Sequence, residues 1–95
     1  MILSFADKET EKVFHQEFSI RLSVDIQRRA FNKLVLIDSV SSINDLRCPP
    51  SNHLEKLTRD SIGRWSIRIN GQWRICFVPI DGGADYTEVE IVDYH

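Results

Sequence analysis

The chain has 95 residues, of which 42% are hydrophobic and 27% charged, and its formal net charge is −2. This length supports one domain with a single core and excludes a two-domain enzyme with a deep cleft between its domains. The composition excludes disordered and collagen-like chains. No apolar run approaches the roughly 20 residues that span a bilayer, and the first residues lack the pattern of a secretory signal. We therefore expect a single cytoplasmic domain over residues 1–95 that does not bind a membrane.

The cysteines and histidines do not form a ligand pattern. Cys48 and Cys76 lack a CxxC spacing, and the three histidines are scattered along the chain. Two cysteines in a chain of this kind are most simply reduced thiols. The sequence therefore predicts no metal site and no cofactor.

Charge is distributed unevenly along the chain. Residues 47–74 carry a net charge of +4, and residues 81–95 carry a net charge of −5 with no Lys or Arg. The basic middle and the acidic end can pair with each other inside the fold. Alternatively, the basic segment forms a local phosphate-binding face that the net charge conceals.

The first half of the chain predicts two helices. A short apolar segment at residues 2–5 favours a brief strand. Asp7 is then an N-cap for a first helix with Val13, Phe14 and Phe18 as its apolar stripe.

The second helix has the clearest pattern. Ser23 is its N-cap candidate, and apolar residues then recur at spacings of three and four. These residues are Ile26, Ala30, Leu34, Ile37 and Val40. Two prolines place residues 47–52 in a loop.

The second half changes to a period of two, which is typical of strands. In residues 64–69 and 73–78 every second residue is a large apolar one, and an Asn-Gly pair lies between the two segments. A strict two-residue turn would set Ile67 opposite a charged residue. A three-residue loop at residues 70–72, or an equivalent bulge, sets Ile67 opposite Ile75 and makes one face wholly apolar.

A final strand is predicted over residues 86–92, after an Asp-Gly-Gly turn, with Val89 and Ile91 pointing inward. The predicted order is β-α-α-β-β-β. We therefore expect an α+β fold in which two helices pack on one face of a small antiparallel sheet of three or four strands.

The same register places Arg68 directly opposite Arg74 on the other face of the hairpin. Like charges opposed across two strands are destabilising. Either Glu88, Glu90 or Asp93 of the last strand neutralises the pair, or an anionic ligand does. Arginine presents a planar fork of donors that matches phosphate oxygens, so the second alternative is a phosphate site.

Two further positions carry groups suited to proton transfer. His95 directly follows the last apolar strand, and His53 and Glu55 lie just after the proline loop. Histidine suits proton transfer near neutral pH. The alternatives are a solvated C-terminus for His95 and ordinary surface polarity for the other two.

Three segments of the chain resemble one known family. The hairpin at residues 63–77, the ending at residues 89–95 and the Pro-Pro-Ser-Asn-His-Leu-Glu stretch at residues 49–55 are similar to HigB-type toxins of the RelE superfamily. The resemblance covers nearly the whole chain, including the opening residues and the order of elements, and it implies a RelE-like fold.

The resemblance also implies an activity and partners. Members of this family are metal-independent endoribonucleases of type II toxin–antitoxin systems. They act in the A site of the 70S ribosome, where they cleave mRNA. A HigA-type helix-turn-helix antitoxin neutralises them, and operator DNA is bound only through the antitoxin complex.

The family's chemistry assigns roles to matching residues. The 2′-OH of the mRNA attacks the adjacent phosphorus, which requires a base, an acid and cations for the phosphate oxygens. Arg74 matches the transition-state arginine of the family. Asp93, Tyr94 and His95 match its terminal Asp-Tyr-His motif, with proton-transfer or orienting roles for Tyr94 and His95 and a positioning role for Asp93.

The sequence departs from many members before the hairpin. Glu55 occupies a position where many members carry histidine, and Thr58 one where they carry lysine. Glu55 is therefore a candidate base, with His53 as the alternative. The predicted RNA- or phosphate-binding residues are Arg68, Lys56, His53, Arg59 and Arg64.

Two other classes of function remain open on the sequence alone. The basic hairpin can serve a non-catalytic module that binds RNA or a protein partner. The departures at Glu55, Thr58 and Arg59 also fit a catalytically weakened toxin that acts as an antitoxin partner or co-repressor. The low net charge favours a toxin that depends on the ribosome for positioning, because tight binding of free RNA requires more cations.

Overall fold

The computed structural model describes residues 1–58 and 63–94. In this part of the chain two helices precede a four-stranded antiparallel sheet with strand order β1-β2-β3-β4, which confirms the predicted α+β class. The elements are α1 (Lys8–Phe14), α2 (Val24–Ser39), β1 (Glu55–Lys56), β2 (Trp65–Arg68), β3 (Trp73–Ile80) and β4 (Asp85–Asp93). Within the same residues, no helix is long and apolar enough to cross a membrane.

Both predicted N-caps are present. The Asp7 side chain accepts a hydrogen bond from Thr10 N at 2.7 Å, and the Ser23 hydroxyl accepts one from Ile26 N at 3.2 Å. These bonds satisfy backbone donors that a helix start leaves free. The apolar stripe of α1 was wrong at Phe18, because α1 ends at Phe14 and the Phe18 side chain is 67% exposed.

The core lies between α2 and one face of the sheet. The predicted face of α2 is buried, with Ala30, Leu34 and Ile37 fully inaccessible. Val40, the last residue of the predicted stripe, follows the helix as its C-cap. The residues of the sheet that complete this core include Ile67, Ile75, Phe77, Tyr86, Val89 and Ile91.

The hairpin register is the predicted one. Ile67 pairs with Ile75, and Arg68 pairs with Arg74. Asn70 caps the turn, since its side-chain oxygen accepts hydrogen bonds from Gln72 N and from the next backbone amide, both at 2.8 Å. One face of the hairpin therefore enters the core, and the opposite face carries both arginines.

The two ends of the sheet differ in detail from the prediction. The segment at residues 2–5 forms two isolated parallel bridges to β4, Ile2 to Tyr86 and Phe5 to Val89, instead of a strand. In addition, the short strand Glu55–Lys56 pairs with β2. Both residues of this edge strand are charged, so the sequence shows no alternation of apolar and polar residues that would predict it.

A β-bulge sets which residues of β4 face the core. The register between β3 and β4 shifts between Cys76 and Val78, and Glu88 has a φ of 54°. One extra residue on β4 reverses its alternation at this point. Tyr86 and Val89 therefore both point inward although they are three residues apart.

The turn before β4 generates a stability prediction. Gly83 has a φ of 103°, and a Cβ there would overlap Ile43 N and lie 2.7 Å from Tyr86 Oη. Gly82 has a φ of 69° but open space around it. We expect Gly83→Ala to lower the free energy of unfolding by about 3 kcal/mol or more and Gly82→Ala by about 1 kcal/mol. Urea denaturation measures both, and equal losses would contradict the close packing at Gly83.

Candidate active site

The centre of the candidate site is Arg74, whose neighbours in β3 enter the core, so that its own side chain lies on the face away from the helices. The residue is only 8% exposed. Its Nε donates a hydrogen bond to Ser66 Oγ at 2.9 Å. Its Nη2 donates to the His53 carbonyl oxygen at 2.7 Å and, at 3.4 Å, to the Ser66 carbonyl oxygen. All three acceptors are neutral. They hold the guanidinium in place but do not offset its positive charge.

No acidic side chain among residues 1–58 and 63–94 forms an ion pair with Arg74 or with Arg68. Glu90 instead lies 3.5 Å from Arg64, measured between Oε1 and Nη1. Asp93 belongs to the other face of the sheet, because it pairs with a residue adjacent to Arg74. The two opposed arginines therefore form a concentration of positive charge without a described counter-ion, which favours the phosphate-site interpretation.

The register distributes the predicted site residues between the two faces. Glu55 pairs with Ser66, which in turn pairs with Cys76, so Glu55 lies on the same face as Arg74. Lys56 pairs with Trp65 and therefore belongs to the opposite face. The sheet brings Glu55, but not Lys56, to the side of the candidate site.

Tyr94 covers the guanidinium of Arg74. The Arg74 Cζ lies 5.5 Å from the centroid of the Tyr94 ring, within the range of a cation–π contact. Tyr94 N donates to the Gln72 carbonyl oxygen at 2.6 Å, and Gln72 Nε2 donates to Asp93 Oδ2 at 3.2 Å. The hairpin turn thus anchors Tyr94, and Asp93 contacts the residue that provides the anchor.

His53 contributes its backbone to the site. The residue follows the short 3-10 turn Pro50–Asn52, has a φ of 45° and is exposed. Its carbonyl oxygen accepts the 2.7 Å hydrogen bond from Arg74. The left-handed backbone at His53 orients this carbonyl, which the sequence could not indicate.

Two predicted site residues, Arg59 and His95, lie outside the described residues, so their roles stay predictions. In the part of the chain that the structure does cover, no group of three metal-ligating side chains occurs.

Ser66 is a site residue that the sequence analysis missed. It is fully buried and binds Arg74 through both its hydroxyl and its carbonyl oxygen. In the predicted register it lies diagonally across from Arg74, next to Arg68. Ser66 lies between Arg64 and Arg68 on one face of the hairpin, and a small hydroxyl residue at such a position could have indicated a hydrogen-bond partner for an arginine.

Removing the Ser66 hydroxyl should be costly. In Ser66→Ala the buried Arg74 Nε loses its acceptor, so we expect a loss of about 1–3 kcal/mol in the free energy of unfolding. The exposed Ser41 offers a matched control, Ser41→Ala, with an expected change within about 0.5 kcal/mol. Chemical denaturation compares the two, and a neutral Ser66→Ala would contradict the assigned hydrogen bond.

The two thiols should differ in reactivity. Cys76 is buried beneath the site, and burial raises the pKa of its thiol; Cys48 is exposed. The thiolate is the reactive form, so a disulfide reagent at pH 8 should label Cys48 rapidly and Cys76 only after unfolding. Mass spectrometry of the labelled protein reads out both sites. Equal labelling rates in the native protein would contradict the burial of Cys76.

Comparison with known proteins identifies the family. The profile of the HigB-like toxins, described as RelE-like toxins of type II toxin–antitoxin system HigB, matches residues 3–95. Toxin HigB-1 of Vibrio cholerae serotype O1 is 38% identical over 91 residues, which cover 95% of this chain and 96% of that protein.

Two further relatives are similar to this chain. Endoribonuclease HigB of Proteus vulgaris is 32% identical over 95 residues, covering all of both chains. An uncharacterized protein of Haemophilus influenzae is 47% identical over 45 residues, 47% of this chain and 45% of that protein. With a family match over almost its entire length and two full-length HigB relatives, the chain belongs to the HigB-like toxins of type II toxin–antitoxin systems.

Proposed function

We propose that this HigB-like toxin is an endoribonuclease that cleaves mRNA in the A site of the 70S ribosome and thereby stops translation. The observation that carries the proposal is the Arg74 guanidinium, held on one face of the sheet by neutral acceptors and facing Arg68 without a described counter-ion. The name of the Proteus vulgaris relative, Endoribonuclease HigB, supports the same activity.

The proposed reaction uses a nucleophile from the RNA itself. The 2′-oxygen forms a bond to the adjacent phosphorus while its proton passes to a base. The bond from phosphorus to the 5′-oxygen breaks, and an acid protonates that oxygen. The products are a 2′,3′-cyclic phosphate and a free 5′-hydroxyl, and the step requires neither a metal ion nor a cofactor.

Arg74 stabilises the negative charge that develops on the phosphate oxygens. Its Nε and Nη2 hold the side chain to Ser66 and His53, and its Nη1 has no partner in the described part of the chain. A donor that is already fixed in direction needs no reorganisation in the transition state, which is the main source of such stabilisation.

Proton transfer is assigned to two residues on the same side of the sheet as this arginine and to His95. Tyr94 lies against the Arg74 guanidinium, and Glu55 lies on the same face of the sheet. We propose these two residues and His95 as the donor and acceptor groups, and pH–rate profiles of their single variants decide which is the base. Asp93 is a positioning residue, because it contacts the Gln72 side chain and the Gln72 carbonyl anchors Tyr94.

The remaining cations contact the RNA backbone in this proposal. Arg64 pairs with Glu90 and Arg68 lies opposite Arg74. In this proposal both contact phosphates next to the cleaved bond. Lys56 and Arg59 are proposed to contact the RNA as well.

Membership in the family implies a cognate antitoxin. We propose that this partner is a HigA-type helix-turn-helix protein, that operator DNA is bound only through the toxin–antitoxin complex, and that the toxin acts in the cytoplasm.

The charge of the chain supports dependence on the ribosome. With a net charge of −2, the protein has little electrostatic attraction for free RNA, whose binding is dominated by phosphate neutralisation. We propose that the A site supplies most of the positioning of the message.

The role of Arg74 can be tested in cells. We expect wild-type induction to arrest growth and to produce new mRNA 5′ ends within translated messages. Arg74→Lys keeps the charge but loses the fork of donors, so cleavage should fall by about 100-fold or more. Arg28→Ala removes an exposed arginine of α2 that pairs with Asp25, and it should leave cleavage unchanged.

The same experiment separates the alternative functions. If soluble, folded wild-type protein produced no new 5′ ends, the chain would be a binding module or a weakened toxin. If Arg74→Lys cleaved as well as the wild type, Arg74 would have no catalytic role.

Ribosome dependence is tested with purified components. At physiological salt we expect cleavage of a message on programmed 70S ribosomes and at least about 100-fold slower cleavage of the same RNA alone. Primer extension measures both rates in one reaction series. Efficient cleavage of naked RNA would contradict the proposed dependence.

A further inference from the structure

A second basic site shares Arg68 with the candidate active site. It is a groove of about 440 Å³ between α2, the 3-10 turn Pro50–Asn52 and the end of β2. The residues that line it are Arg29, Asn32, Lys33, Ser51, Arg68 and Ile69.

Two cations of the groove, Arg29 and Lys33, donate hydrogen bonds to neutral acceptors. Arg29 Nη2 donates to the Ile69 carbonyl oxygen at 3.2 Å, which ties α2 to the hairpin. Lys33 Nζ donates to Asn52 Oδ1. Asn52 is fully buried, and its amide donates to the Leu46 carbonyl oxygen at 3.1 Å, so the acceptor of Lys33 is itself held rigidly.

Negative charge is scarce in the groove. None of its described lining residues is acidic. Arg29 pairs with Asp25, and the distance between Arg29 Nη1 and Asp25 Oδ2 is 3.8 Å. The Asp25 side chain is 57% exposed and also pairs with Arg28 at 2.9 Å. Partial burial and, secondly, the charge of Arg29 lower the pKa of Lys33. An anion bound in the groove would offset both the lost hydration of Lys33 and its repulsion by Arg29.

We propose that this groove binds a phosphodiester group of RNA through Arg29, Lys33 and Arg68, next to the phosphate that Arg74 contacts. The inference rests on the proposed function, because it extends the path of the same RNA. Arg68 joins the two sites, since it lines the groove and pairs directly with Arg74 in the sheet.

The neutral residues of the groove favour a phosphate as the ligand. Asn32 and Ser51 add an amide and a hydroxyl to the three cations, and both residues are exposed. Such a mixture of charged and neutral donors suits the several acceptor oxygens of a phosphodiester. The phosphate can belong to the message or to ribosomal RNA, which present the same group.

The test compares substitutions on the two sides of α2. Arg29→Gln with Lys33→Gln removes two cations of the groove, and Arg28→Gln removes an exposed cation of the same helix outside the lining. Asn32→Asp adds a negative charge with almost no change of shape, and the Asn32 side chain has no described hydrogen bond to lose. It keeps the test informative if the double variant folds poorly.

Binding is measured at low salt with two probes. One is a short fluorescent single-stranded RNA whose 2′-hydroxyls are methylated to prevent cleavage, and the other is vacant 70S ribosomes. We expect the double variant and Asn32→Asp to bind about tenfold and about threefold more weakly, with Arg28→Gln unchanged. The slope of log affinity against log salt should fall by about 0.7 for each phosphate that a variant no longer neutralises.

Each outcome decides the proposal. Weaker binding of the short RNA alone supports a phosphate of the message, and weaker binding of ribosomes alone supports a phosphate of ribosomal RNA. Weaker binding of both supports a phosphate site that accepts either RNA. Unchanged binding of both probes would overturn the site, as would loss of antitoxin binding with RNA binding intact. The proposed catalysis fails separately, if wild-type protein binds ribosomes but leaves the message uncut.

Discussion

The structure depends on Arg74, a buried arginine whose positive charge is not offset by a described carboxylate. Burial of a cation is costly unless hydrogen bonds and opposite charge replace the lost water. Arg74 has the hydrogen bonds, to Ser66 and to the His53 carbonyl, but no described carboxylate. The face of the sheet must therefore hold three elements in one arrangement: the hairpin, the turn before β1 and the chain end that places Tyr94 over the guanidinium. A fold that maintains such an arrangement retains attraction for an external anion.

The same arrangement links the catalytic proposal to the basic groove. Arg68 belongs to both places, because it pairs with Arg74 and lines the groove beside α2. Arg29 and Lys33 of the groove also donate to neutral acceptors, and the buried Asn52 fixes Lys33. Positively charged side chains thus extend from Arg74 through Arg68 to Arg29 and Lys33, as contacts to more than one phosphate of an RNA backbone require. This local concentration occurs in a chain whose net charge is −2.

Sequence patterns predicted the parts of the fold that depend on periodicity. The α2 face, both N-caps and the hairpin register followed from spacing, and the register led directly to the opposed Arg68 and Arg74. What escaped prediction depends on contacts between distant segments. The left-handed backbone at His53 brings its carbonyl to Arg74, and Asn52 holds Lys33 beside the groove. A backbone carbonyl or a buried amide leaves no pattern in residue types, and neither does a two-residue edge strand.

The most direct measurement is single-turnover cleavage of a ribosome-bound message, comparing all-ribose RNA with RNA that carries one 2′-deoxynucleotide immediately 5′ of the mapped cut. If the message supplies its own nucleophile and Arg74 stabilises the phosphate, the ribose message is cut to a 2′,3′-cyclic phosphate. The deoxy message should then bind equally well and stay intact. Cleavage of the deoxy message at a similar rate would contradict this mechanism, because the attacking oxygen would have to come from water or from the protein.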